Sequence, residues 1–412
     1  LSAEKMHRYE ADEIIWLNSQ KADDYTKECK VCKHVGKVSE DGLCPLCSKI
    51  QKLSNNVLYS DFFSVVLEGE ADGLPLPGGY LLLADDEKTL SKRMEKDSYF
   101  VRVYAKNQMY TGKHIATKLW VGDYTTGDTF EKFAQKAEGI KRIGVLRADV
   151  DNLGQTFVAG FAGKYATLSR TAALSRQLSI FFKYYIRSIL KNGEYHIDGE
   201  KKLTERNATI VYSGGDDVFI VGAWNEVIEL SIDLQEKFKK YTQGTLSISS
   251  GIGIYECTYP IGAIANETGE MEAESKRMPE KDSVTLMDDG ETHLINELEI
   301  CDGTYRWEEL YKSVLGEKYD VIQDFLGESD ERGMSFLYRM LELIRNQKEK
   351  INFARFVYLL SRLEPDKEGE KKEKYRKFSR KMYQWVQSEK DCRELKTAIN
   401  LYAYMHREKG AH

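Results

Sequence analysis

Three carboxylates in two short stretches are the residues best placed to do chemistry. Asp149 follows the apolar run Ile143-Gly144-Val145-Leu146-Arg147-Ala148, and Asp216 and Asp217 follow Ser213, Gly214 and Gly215 between the runs Ile210-Val211-Tyr212 and Val218-Phe219-Ile220-Val221. An apolar run ending in acid reads as a buried strand that delivers a carboxylate; apolar–Gly-Gly-Asp-Asp–apolar reads as a hairpin. The two glycines permit positive φ and leave bare backbone for another molecule to approach. Gly-Gly-Asp-Asp alone is equally compatible with a solvated turn. The third acid changes that balance, because three carboxylates at one sheet edge disfavour joint ionisation without a cation. One Mg2+ or Mn2+, or a pair about 3.5–4 Å apart, resolves the conflict and sets up phosphoryl or nucleotidyl transfer. Asp151 lies on the same side as Asp149 if the strand stays regular, and ranks below the other three.

A second constellation is Cys29-Lys30-Val31-Cys32 followed, eleven residues on, by Cys44-Pro45-Leu46-Cys47. Two Cys-x-x-Cys knuckles at this separation point to a structural Zn2+ held by four thiolates, with no open position for substrate. His34 is adjacent and reads as a bystander. Other patterns fail. Gly160-Phe161-Ala162-Gly163-Lys164-Tyr165 lacks the first glycine of a phosphate loop, and Tyr165 stands where Ser or Thr would hold magnesium. No Gly-x-Ser-x-Gly, His-Glu-x-x-His or His-Asp is present, and Cys257, Cys301 and Cys392 have no evident His partner.

The elements that must position these groups follow from pattern. The 412 residues carry 42% hydrophobic and 31% charged residues, enough for several cores, without an apolar run near the length of a membrane span. A net charge of −6 gives no support for a nucleic-acid protein, so any RNA contact must be a local patch. Seven cysteines, four in a metal pattern, suggest a reducing cytoplasm. The start is polar and lacks Met, which suggests a fragment. Residues 1–56 read as a helix, with Met6, Tyr9, Ile14, Ile15 and Leu17 as packing residues, plus the zinc module. Residues 57–140 read as a β-rich connector in which His114 is alone. Residues 141–295 read as strand, long helix 166–190, hairpin 208–224, helix 226–241, strand 246–255, helix 261–278 and strand 283–287. That is a ferredoxin-like order, the architecture of polymerase and nucleotide-cyclase palms. Gly251 and Gly253 hint at close backbone approach. Residues 296–412 read as a helical bundle without strand signals. The fold class is thus α+β and multidomain. The basic run Lys371–Lys381 reads as a solvated helix face.

These motifs resemble the large subunit of type III CRISPR RNA-guided effector complexes. The resemblance rests on the Gly214–Asp217 turn, on Ala148-Asp149-Val150-Asp151-Asn152-Leu153-Gly154 and on the four cysteines. The helix from Thr167-Leu168-Ser169-Arg170 through Leu178-Ser179-Ile180-Phe181-Phe182 and the connector around Leu74-Pro75-Leu76-Pro77 look most like the III-A branch, and together the motifs span most of residues 25–290. The resemblance implies an HD nuclease domain and a first palm ahead of this region, both expected to be missing here. It implies polymerisation of ATP into cyclic oligoadenylate messengers once guide RNA pairs with target RNA, alongside the other subunits of the complex, with no membrane involved. Asp149, Asp216 and Asp217 would be the catalytic, metal-holding acids, with Ser213, Gly214 and Gly215 lying against nucleotide. The palm also resembles diguanylate cyclases, in which a lysine near a helix end contacts the triphosphate; Lys276 and Lys281 lie at that place. Two alternatives stay open: a GGDEF-like dinucleotide cyclase, and a silent palm acting as a scaffold in a ribonucleoprotein.

Overall fold

The computed structural model describes residues 27–67, 72–96, 99–108, 116–127, 129–199, 202–287, 290–327, 332–345 and 350–407. The helix expected near the start, with its five packing residues, and His114 lie outside the described residues. The chain divides into two compact units, one up to Leu119 and one from Trp120. Residues 120–140, grouped by sequence with the connector, therefore belong to the second unit.

The first unit opens on the cysteine module. Helix α1 (Pro45–Val57) grows out of the second knuckle: Cys44 is its N-cap and Pro45 takes the first turn, where a missing N–H costs nothing. Strands β1 (Phe62–Leu67), β2 (Leu74–Leu76), β3 (Tyr80–Asp85), β4 (Phe100–Lys106) and β5 (Thr117–Leu119) form one sheet in the order β2-β3-β1-β4-β5. Helix α2 (Glu87–Lys96) covers it through Leu90, buried with Phe62, Val103 and Ala105.

The second unit begins with α3 (Phe130–Lys136) and β6 (Ile143–Val150). A short α4 (Leu153–Ala159) follows. The long helix expected over 166–190 is present as three pieces: α5 (Leu168–Ile180), a π-helical turn (Phe181–Tyr185) and α6 (Ile186–Lys191). The hairpin is β7 (Ala208–Ser213) and β8 (Asp217–Ala223), followed by α7 (Trp224–Tyr241), β9 (Ile248–Tyr255), α8 (Ile261–Ser275) and β10 (Ser283–Leu286). Then come β11 (Thr292–Ile295), β12 (Leu298–Cys301) and β13 (Thr304–Arg306). The main sheet runs β13-β10-β9-β6-β8-β7, so β6 is central. Six of its eight residues are buried, which is why it reads as a continuous apolar run rather than an alternating one. The sequence was expected to lose strand signals beyond residue 300; β13 corrects that. It adds an edge to β10 and buries Tyr305, whose hydroxyl meets Thr397 Oγ1 at 2.7 Å.

The C-terminal helices follow: α9 (Trp307–Glu309), a π-helical run (Leu310–Tyr319), α10 (Asp320–Leu326), α11 (Arg332–Arg345), α12 (Lys350–Ser361), α13 (Glu370–Trp385) and α14 (Glu389–His406). Their apolar faces join one core cluster with the palm, including Leu310, Val314, Phe378 and Leu395 beside Ile252 and Val284. The basic run on α13 is a paired face. Lys372, Lys374, Arg376, Lys377 and Lys381 each bridge to Glu or Asp side chains. Among the described residues no helix is long and apolar enough to cross a membrane.

Candidate active site and metal centre

The central strand and the hairpin deliver the acids to one place. In the β6–β8 ladder Asp149 stands directly opposite Asp217, and the Val150 N–H donates to the Asp216 carbonyl at 3.2 Å. All three side chains are half-buried. Burial, then the charges of Asp149 and Asp217, push the Asp216 carboxyl above its ordinary range, while Lys276 pulls the other way. The Tyr212 hydroxyl is also raised, chiefly by the Asp217 charge beside it.

The turn does not use the freedom that its glycines offer. Neither Gly214 nor Gly215 has positive φ. Gly214 is needed for space: a Cβ there would stand 2.1 Å from Asp217 Oδ1 and 2.6 Å from the Tyr212 hydroxyl. Gly215 leaves an open face, with only Ser179 Oγ within reach at 3.6 Å. Ser213 is engaged elsewhere, its hydroxyl donating to the Phe182 carbonyl in the π-helical turn.

Helix α8 brings the cation. Gly251 on β9 admits it closely, since a Cβ there would lie 2.5 Å from the Thr268 carbonyl oxygen. Lys276 at the C-cap of α8 places its ammonium on Asp149 and, at 2.7 Å, on Glu272 Oε1. Burial works against its charge, and the bonds to Asp149 and Glu272 outweigh it, so Lys276 titrates above its ordinary value. Lys281 reaches the same strand end, bonding Asn152 Oδ1 at 2.7 Å. Asp151 is buried: its Oδ2 accepts from Ser247 Oγ at 2.7 Å and from the Asp282 N–H at 3.1 Å, while its Oδ1 has no hydrogen-bond partner among the described residues. The residues missed by sequence are Glu272, Arg147 and Tyr212. Glu272 and Lys276 stand at helical i,i+4 spacing, a legible signal for an ion pair.

The four cysteines form the second site. The thiol sulfurs of Cys29, Cys32, Cys44 and Cys47 all lie within 4.8 Å of one another, the only such group of three or more potential ligands among the described residues. The Cys32 and Cys44 sulfurs are 3.7 Å apart, against about 3.8 Å for the edge of a tetrahedron with zinc–sulfur bonds of about 2.3 Å. The Cys44 N–H points to Cys29 Sγ at 3.3 Å and the Cys47 N–H to Cys44 Sγ at 3.4 Å. Backbone N–H groups of Cys32 and Cys44 hold the Cys29 thiol down to about 6, while burial pushes Cys47 up to about 12. Donor type, spacing and N–H···S bonds fit zinc. His34 is exposed and outside the group.

Residues 142–285 match the family described as Cas10/Cmr2, second palm domain, and residues 323–408 match the CRISPR RNA silencing complex Cmr2 subunit, second helical domain. A CRISPR system single-strand-specific deoxyribonuclease Cas10/Csm1 (subtype III-A) from Mycobacterium tuberculosis is 40% identical over 424 residues, covering 99% of this chain and 50% of its own length. The chain spans about half the length of the curated relatives it matches. In fold, a crystal structure of a Csm1–Csm4 cassette in complex with cA4 gives a TM-score of 0.62 at 21% identity, covering 84% of this chain and 49% of that one. A Csm1–Csm4 cassette in complex with one ATP gives 0.60 at 22% identity, covering 86% and 50%.

Proposed function

We infer that this chain, which belongs to the Cas10/Csm1 large-subunit family and carries its second palm and second helical domain, supplies the acidic half of a site that joins ATP into cyclic oligoadenylates. One observation carries the reading: Asp149 faces Asp217 across the central ladder, beside Asp216, with Lys276 at the same edge. The fold-related cassettes with cA4 and with ATP support the same substrate class.

The residues divide the work. Asp149, Asp216 and Asp217 would hold Mg2+ or Mn2+, because three half-buried carboxylates stand at one edge, and burial together with the charges of Asp149 and Asp217 disfavours their joint ionisation without a cation. Such a cation, held by these residues, would supply neutralisation at the α-phosphate and a lowered pKa for an attacking 3′-hydroxyl. The open face at Gly215 admits nucleotide against the hairpin. Lys276 and Lys281 are the cations at hand for a triphosphate, as compact, strongly hydrated point charges. Ser213 braces the hairpin against the π-helical turn through its hydroxyl and lies with Gly214 and Gly215 where nucleotide would meet the turn. The bond formed joins the 3′-oxygen of one adenylate to the α-phosphorus of the next, and pyrophosphate leaves.

The same reading makes the four cysteines a structural zinc module and the chain a part of a type III-A ribonucleoprotein in the cytoplasm, with a Csm4-like subunit, guide RNA and target RNA as partners. It divides the chain at 1–56, 57–140, 141–295 and 296–412, with residues 120–140 of the connector packed in the unit that holds the palm. Mass spectrometry of nucleotide products tests it. The subunit is assembled with guide RNA and given matched target RNA, ATP and Mn2+, beside the Asp216→Ala/Asp217→Ala form. Cyclic oligoadenylates from the native assembly alone are expected. A cyclic dinucleotide would favour the GGDEF-like alternative, and no product from an intact assembly would make the palm a scaffold.

A further inference from the structure

We propose that Glu272 is a positioning residue, which keeps the Lys276 ammonium at the acidic edge for the triphosphate when a cation occupies Asp149. The proposal rests on the reading of Lys276 as a triphosphate contact.

Glu272 is only 8% exposed and bridges two cations. Its Oε1 lies 2.7 Å from Lys276 Nζ, one helical turn on, and its Oε2 lies 2.8 Å from Arg147 Nε. Arg147 sits on β6 two residues before Asp149, so both project from one face of the strand. Its guanidinium runs along α8 over Gly269, where a Cβ would stand 2.7 Å from Nη1. The result is an alternating row, Arg147–Glu272–Lys276–Asp149, laid from helix to sheet edge. If Asp149 were the sole partner of Lys276, any cation taking that carboxylate would release a four-carbon side chain with many rotamers to lose again on binding phosphate. Glu272 prevents this. Arg147 fixes its second oxygen and the helix fixes its backbone, so the lysine keeps one anchor while it exchanges the other.

The test is a double-mutant cycle on binding of a non-hydrolysable ATP analogue. It uses calorimetry on the assembled complex in saturating Mn2+, with native, Glu272→Gln, Lys276→Met and the double variant. Glutamine retains an acceptor for Arg147, so packing is kept, and Glu272→Asp serves as a second variant should the first fail to fold. Glu272→Gln is expected to weaken binding about fivefold with Lys276 present and less than about twofold in the Lys276→Met background. In turnover, the ATP KM should rise while kcat stays within about twofold, because the lost interaction is equally present in bound and reacting states. Equal losses in both backgrounds, or none in either, overturn the proposal. Asp216→Ala/Asp217→Ala separates this from failure of the parent reading. Binding abolished in that form leaves the parent reading standing whatever Glu272 does; binding unchanged there puts the analogue elsewhere, and both readings fall.

Discussion

Replacing Asp217 by Asn should stabilise the protein without divalent cations and destabilise it relative to native with them. Directly paired strand residues hold their Cβ atoms about 4.5–5.5 Å apart, so the carboxylates of Asp149 and Asp217 stand roughly 6 Å apart. At an effective dielectric near 40, suited to half-buried groups, two charges at that range repel by about 1.4 kcal/mol. The Lys276 ammonium on Asp149 cancels part of this, leaving about 1 kcal/mol. Asparagine removes the charge and keeps an oxygen for the Tyr212 hydroxyl, which is hydrogen-bonded to Asp217. For a unit of this size 1 kcal/mol moves the melting temperature by about 2–4 °C. A cation at a hundred times its dissociation constant would add about 2.7 kcal/mol to the native protein, and much less to a variant lacking one ligand. Scanning calorimetry on the zinc-loaded protein, in buffer freed of unbound divalent cations and with or without added Mn2+, should therefore show the two melting curves exchange order. A variant that melts below native without Mn2+ would refute the repulsion. A variant that gains as much from Mn2+ as native would remove Asp217 from the ligand set.

Native and denaturing mass spectra should differ by one zinc ion, and Cys44→Ser should lose it. Among the described residues, apolar packing around the thiols comes from partly buried Val38 and Leu43, worth about 3 kcal/mol, against about 10–16 kcal/mol from structural zinc. Residues 27–44 should consequently become protease-sensitive on chelation; an unchanged cleavage pattern would contradict this. For pH, burial works against the Asp302 charge, but bonds to His293 and Lys396 outweigh it and hold the carboxyl down to about 2, from 3.8. A depressed carboxylate contributes stability that is present above its unfolded value and lost as pH falls through its folded value. The shift corresponds to about 2.4 kcal/mol, or about 1 kcal/mol after discounting for solvent screening. Denaturant unfolding should show Asp302→Asn less stable by that amount at pH 7, with the gap closing between about pH 4 and pH 2; a gap constant with pH would refute the assignment.

What was legible from sequence is what depends on local order. The β6 run, the Gly-Gly-Asp-Asp hairpin and the two cysteine knuckles each carry their signal within about a dozen residues, and the central burial of β6 explains why it reads as unbroken apolar sequence. The π-helical turn at Phe181–Tyr185 was hidden because the apolar stripe of Leu174, Leu178 and Phe181 continues through it; periodicity registers the face and not the hydrogen-bond offset. Strands β11 to β13 are three or four residues long, too short for alternation to register. The turn between β11 and β12 has positive φ at Asn296 and Glu297, without the glycine that marks such turns.

The reason for Gly214 lay deeper still. A glycine before two acids suggests an unusual backbone, yet the backbone is ordinary, and the vacancy at its α-carbon is filled by the Asp217 carboxylate and the Tyr212 hydroxyl. The same holds for the charge row. Glu272 and Lys276 are four apart and readable as a pair, but Arg147 and Asp149 are more than a hundred residues away, and only Gly251 and Gly269 let α8 close onto the sheet and bring them together. The acids state where the chemistry can happen. The glycines, which carry no chemistry, set the distance at which the helix can answer them, so a Gly251→Ala change should displace Lys276 and Glu272 together without altering any charge at the site.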